Sequence, residues 1–145
     1  MTTVQVTLAA PRPDVWAALV DVRTYPTWLV GARRIRSVDD EWPAPGTAFH
    51  HVVGFGPITI ADATRSVAVD PERRLELVVR ARPAVEATVV FELQDAAEGT
   101  LVTMEEHPIG LHRVLAPVLA PLTQARNRAS LAQLEDRVRA RTAEA

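Results

Sequence analysis

Val4, Val6 and Leu8 alternate with Thr3, Gln5 and Thr7, the two-residue period of a strand with one buried face. Pro11 and Pro13 fit only a first helical turn, and Asp14 suits the positive end of a helix. Val15, Ala18, Leu19 and Val22 then recur at helical spacing, which predicts a short helix ending near Arg23. Tyr25-Pro26-Thr27-Trp28-Leu29 predicts a second helical turn, its large apolar groups covering a wall of the core. Six more strands are expected near 33–39, 47–55, 58–69, 74–82, 85–94 and 100–107, separated by turns such as Pro43-Ala44-Pro45-Gly46, Asp70-Pro71 and Glu98-Gly99. Connections this short make the neighbours antiparallel.

Strand phase assigns faces. Leu75, Leu77, Val79 and Ala81 point inward on one strand and Ala87, Val89, Phe91 and Leu93 on the next, with Glu76, Arg80, Glu86 and Glu92 outward. Ile58 and Ile60 fall on even positions but Val67 and Val69 on odd ones, so the pleat must slip, and a β-bulge is expected within Asp62 to Ser66. From Gly110 the period becomes helical, although Pro117 and Pro121 each remove a donor and predict a kink or a fresh start. Beyond them Thr123, Asn127, Leu131, Leu134 and Val138 form one face, expected to meet the sheet. Leu122, Ala125, Ala129 and Ala132 form a nearly opposite face, poor in charge, which makes the chain either a monomer or a homodimer through that patch.

Composition narrows the function. At 145 residues, 48% hydrophobic and 23% charged, with no cysteine, the chain reads as a single domain over 1–145, long enough to bury roughly 68–70% of its unfolded surface. A net charge of -2 gives no basic field for nucleic acid. All 16 basic residues are arginine, which leaves no lysine for Schiff-base chemistry. The N-terminus lacks the basic and apolar regions of a secretory signal, so a cytoplasmic location is expected. The longest apolar run, Val114 to Leu122, is too short and too proline-rich to span a membrane.

The order strand, helix pair, six antiparallel strands and long C-terminal helix, with Pro11 and Trp16 opening the first helix and Tyr25-Pro26-Thr27-Trp28 closing the pair, resembles the START-like or SRPBCC superfamily. The segments His50-His51-Val52-Val53-Gly54-Phe55-Gly56-Pro57, Val102 to Pro108 and Arg126-Asn127 are similar to its polyketide cyclase/dehydrase and lipid-transport branch. The resemblance implies an α+β helix-grip fold, in which a curved antiparallel sheet of about seven strands wraps the C-terminal helix around a cavity. It also implies a small hydrophobic ligand, such as a polyketide, aromatic or lipid-like metabolite. Members include cyclases, carriers, receptors and chaperone co-activators, so the fold leaves three alternatives open: a cofactor-independent cyclase or dehydratase, a non-catalytic carrier or sensor, and a protein-interaction module.

The residues name candidates for a cavity of this kind. His51 shares its phase with Phe49, Val53 and Phe55 and points inward, where it could act as a general base or sit satisfied in the core. Glu106, in phase with Val102 and Met104, is the carboxylate directed at the cavity; it could deprotonate a carbon between two ketones, or pair with an arginine such as Arg126. Asp62 is a second inward acid, its direction depending on the bulge. Asn127, Thr123 and Tyr25 could donate to a ligand carbonyl or bond the backbone. Met104 and Leu131 supply apolar lining, and Trp28, Phe49 or Phe55 is expected near the mouth. No metal is expected, because there is no Cys and no His-Glu-x-x-His, and His107 and His112 are separated by Pro108 and Gly110. No cofactor is expected either.

Overall fold

The computed structural model describes residues 1–143, apart from the side chain of Phe55. Strand β1 (Thr2–Leu8) leads into α1 (Arg12–Val20), a single 3-10 turn (Val22–Thr24) and α2 (Tyr25–Trp28). Strands β2 (Ala32–Val38), β3 (Ala48–Phe55), β4 (Ile58–Asp70), β5 (Arg74–Ala81), β6 (Val85–Ala96) and β7 (Gly99–Pro108) follow, and α3 (His112–Ala143) ends the chain. All seven strands form one antiparallel sheet in the order β1-β7-β6-β5-β4-β3-β2. It is an open, curved sheet with the long helix against its inner face, the α+β helix-grip architecture. No described helix is long and apolar enough to cross a membrane.

Register places the inner face. Val4 stands opposite Met104, Phe91 opposite Met104 and Leu75 opposite Phe91, so one row of apolar side chains crosses four strands. These residues are buried, as are Leu131, Leu134 and Val138 of α3, which closes over them. Helix α3 lies on β1 and β7 and is braced by α1 and α2. At the base Tyr25, Trp28, Trp42 and Phe49 meet edge to face at 4.9 to 5.4 Å between ring centroids, a geometry that aligns ring edges with ring faces.

Four expectations need correction. The bulge lies between Ser66 and Ala68, just past the expected window. Thr64 and Ser66 keep the inward phase although polar, because Ser66 Oγ donates to the Pro43 carbonyl at 2.7 Å and Thr64 Oγ1 lies 3.0 Å from His51 Nε2. The slip therefore falls on exposed Val67. Helix α1 ends at Val20, and the 3-10 turn carries Val22 into the core. Helix α3 runs unbroken through Pro117 and Pro121. Each ring deletes one donor from an exposed stretch, and the neighbouring bonds hold the helix together. Trp28 and Phe49, finally, are 0% and 4% exposed, so they floor the core and do not stand at a mouth. Phe55, expected beside them, has a side chain outside the described residues.

Candidate functional site

Three polar groups occupy the inner face. The first is built on the end of β7. Glu106 is inward by phase, opposite Thr2 on β1 and Val89 on β6, and is 3% exposed. Helix α3 brings Arg126 and Asn127 to it: Arg126 Nη2 donates to Glu106 Oε1 at 2.7 Å and Asn127 Nδ2 donates to the same oxygen at 3.3 Å. Arg126 also donates to Asn127 Oδ1 through Nε and Nη2, both at 3.3 Å. Glu106 Oε2, on the same carboxylate, is buried and has no hydrogen-bond partner among the described residues. One carboxylate oxygen is therefore fixed and the other is an unused acceptor.

The second group lies on β3 and β4, separated from Glu106 by β5 and β6. His51 is 3% exposed; its Nε2 meets Thr64 Oγ1 and its Nδ1 is buried without a partner. Burial lowers the His51 pKa below its usual 6.5, against the opposing pull of Asp62, and this holds the ring neutral. Asp62 sits directly opposite in register. The Arg82 guanidinium grips both its oxygens at 2.9 Å, and the amides of Arg82 and Ala63 donate to it as well. The hydrogen bonds from Arg82 hold the Asp62 carboxyl far below the usual carboxylate range. Asp62 thus clips the β5–β6 turn to β4, and both of its oxygens are engaged.

The third group went unrecognised in the sequence. A half-open cavity of about 530 Å³ lies between the start of β1, the end of β7 and the first turns of α3. Thr2, Pro108, His112, Ala116, Ala120 and Thr123 are among its lining residues. His112 is 5% exposed, and its Nδ1 lies 3.2 Å from the Glu86 carbonyl, which also accepts from the Ile109 amide at 2.8 Å. A carbonyl only accepts, so Nδ1 carries a hydrogen and donates, which leaves Nε2 as the ring nitrogen outside this bond. Gly110 permits this junction: its φ is +59°, and a Cβ there would meet Glu86 Oε1 at 2.7 Å. The sequence signal was His112 at the first turn of α3, read only as half of an unsuitable metal pair.

Of the residues nominated from sequence, Thr123 lines this cavity. Thr2 ties it to Glu106 through register, and Thr123 ties it to Asn127 one helical turn on. Met104 and Leu131 are core residues, 3% and 0% exposed. Tyr25 OH donates to the Leu19 carbonyl at 2.6 Å, and burial pushes its pKa far above the usual phenol value. Its proton is therefore committed to the fold. Trp28 Nε1 is buried without a partner among the described residues.

The family model described as polyketide cyclase / dehydrase and lipid transport matches residues 1–139. No significant match was found among curated proteins. Several solved structures share the fold. Protein NE0264 from Nitrosomonas europaea is 24% identical, with 97% of this chain and 95% of that one covered at a TM-score of 0.73. The Zhui aromatase/cyclase from Streptomyces sp. R1128 is 16% identical, with 97% and 94% covered at 0.73. The di-domain aromatase/cyclase StfQ of the steffimycin biosynthetic pathway is 11% identical at 0.76; this chain is covered to 97% and spans 51% of that protein.

Proposed function

The chain belongs to the polyketide cyclase/dehydrase and lipid-transport family, and from that premise we propose that it binds a small, largely apolar molecule in the cavity under the first half of α3. The observation that carries this reading is an apolar wall with the polar side chains of Thr2, His112 and Thr123 set along it. Ala116, Ala120 and Pro108 offer small apolar surface and Thr2, His112 and Thr123 stand among them, while Glu106, whose Oε2 has no partner among the described residues, is outside the lining and is linked to it by its register with Thr2. Pockets of this kind take an apolar body and fix its orientation through a few polar contacts. A ligand bearing an enol, a phenol or a hydrated ketone makes such contacts.

A cofactor-independent cyclisation or dehydration is the chemistry these groups fit. Glu106, oriented by Arg126 and Asn127, or His112 would take a proton from a carbon flanked by carbonyls, and Asn127 would steady the charge that develops. His51 on β3, boxed in by Thr64 and Phe49, does not line this cavity and takes no part in that proton transfer. A carrier would use the same cavity without turnover.

Native mass spectrometry with a set of aromatic 1,3-diketones and phenols, against a denatured control, tests the binding claim. Mass retained by the native chain, released on unfolding and abolished by Ala120→Trp is expected. Retention that Ala120→Trp leaves intact would place the ligand elsewhere. Conversion of a bound diketone that Glu106→Gln stops while binding persists identifies the enzyme; unchanged return of every bound compound identifies the carrier.

A further inference from the structure

The first half of α3 has a second face, turned away from the sheet. Leu111, just before α3, and Val114, Leu115, Val118 and Leu122 are 75%, 74%, 57%, 80% and 70% exposed, an unusual concentration of large aliphatic groups in water. At about 100° per residue, Leu111, Leu115, Val118 and Leu122 fall on one line along the helix, and Ala125, Ala129 and Ala132 continue it, also exposed. No charged residue falls on that line between Leu111 and Ala132. The buried face of α3, through His112, Thr123, Asn127 and Leu134, lies on the far side, so a partner can approach without meeting the sheet.

We infer that this stripe pairs with its own copy in a second chain, the two α3 helices antiparallel about a two-fold axis at Leu122. The reason is the distribution of size along the stripe. Its N-terminal half carries Leu and Val and its C-terminal half carries Ala. In an antiparallel pairing centred on Leu122, Leu115 comes level with Ala129, Leu111 and Val118 come within one residue of level with Ala132 and Ala125, and Leu122 meets its twin. Leu111, Leu115 and Val118 each find an alanine opposite and Leu122 packs on its own copy at the axis, which is the self-complementarity a two-fold interface requires. A parallel pairing would set Leu against Leu at one end and Ala against Ala at the other, leaving the helices splayed. The stripe offers on the order of 700 Å² per copy, close to the roughly 800 Å² per partner of a standard interface. This inference does not depend on the ligand reading.

The chain has no cysteine, so single introduced thiols report register cleanly. Sedimentation velocity at tens of micromolar should show the intact chain at twice its monomer mass, and Val118→Asp, at an exposed position, should return it to the monomer with an unchanged far-ultraviolet circular dichroism spectrum. Under mild oxidation Leu122→Cys should give a covalent dimer, Leu111→Cys should not, and a mixture of Leu115→Cys with Ala129→Cys should give the mixed dimer. A wild-type chain that stays monomeric throughout that concentration range overturns the proposal. A dimer that survives Val118→Asp, or Leu111→Cys cross-linking as fast as Leu122→Cys, overturns the stripe or its antiparallel register.

Discussion

Single residues at the inner face hold their charge states by local means, and this makes them testable one at a time. Glu106 depends on a cation that is itself only 30% exposed, so Arg126→Ala strands a buried carboxylate. The expected loss is about 1–3 kcal/mol, read from urea unfolding, and Glu106→Gln in the same background should restore much of it. His51 gives the chain a pH dependence of definite sign. Below 6.5 the unfolded chain takes up a proton that the buried ring refuses, so stability is complete above that value and declines as the pH falls below it. Asp62 acts in a lower window: its folded pKa is depressed, so its contribution holds at neutral pH and disappears only as the pH falls below the ordinary carboxylate value of 3.8. His51→Phe should flatten the urea midpoint between pH 6.5 and 5 and leave the more acidic limb in place. Sequence phase was enough to point His51 and Glu106 inward. The orientation of His112 could not be read that way, because it follows from a carbonyl 26 residues away and a glycine at positive φ.

At the scale of elements, the two-residue and helical periods located every strand and helix within a few residues, since each has one face that must be buried. The misplaced features are those where a polar residue fills a core position. The bulge was expected within Asp62 to Ser66, yet hydrogen bonds to His51 and Pro43 satisfy Thr64 and Ser66 inside, and the slip falls just past them. Prolines in α3 were read as breaks, but context overrode local preference. The helix runs through Pro121, so Pro121→Ala should restore a donor to the Pro117 carbonyl and raise the thermal midpoint, by about 1–3 kcal/mol in stability. A fall in the midpoint would mean that the ring is needed for packing. The aromatic base is expected to be unforgiving: Trp28→Ala removes a fully buried ring that packs edge to face on Tyr25 and should cost about 3–5 kcal/mol in denaturant titration.

For the molecule as a whole, one helix segment has two duties on opposite faces, lining the cavity through His112, Ala116 and Ala120 and presenting the stripe through Leu115, Val118 and Leu122. Coupling between them would be reciprocal, so a ligand that steadies this segment should tighten self-association by the factor by which association tightens the ligand. Comparing the sedimentation midpoint with and without a bound diketone measures that factor, and equality of the two midpoints would make the faces independent. The sheet itself carries a different kind of consequence. β1 is the first strand made, yet its sheet neighbour is β7, the last, as in the bond from Gln5 to Thr103 across 98 residues. During synthesis the β2 to β6 meander can zip together strand by strand while β1 waits, its Val4 and Leu8 without a sheet partner until β7 leaves the ribosome. Folding of this chain is therefore gated by its C-terminus: a nascent fragment ending at Glu98 should remain protease-sensitive throughout Thr2–Leu8, and protection should arrive there in one late step.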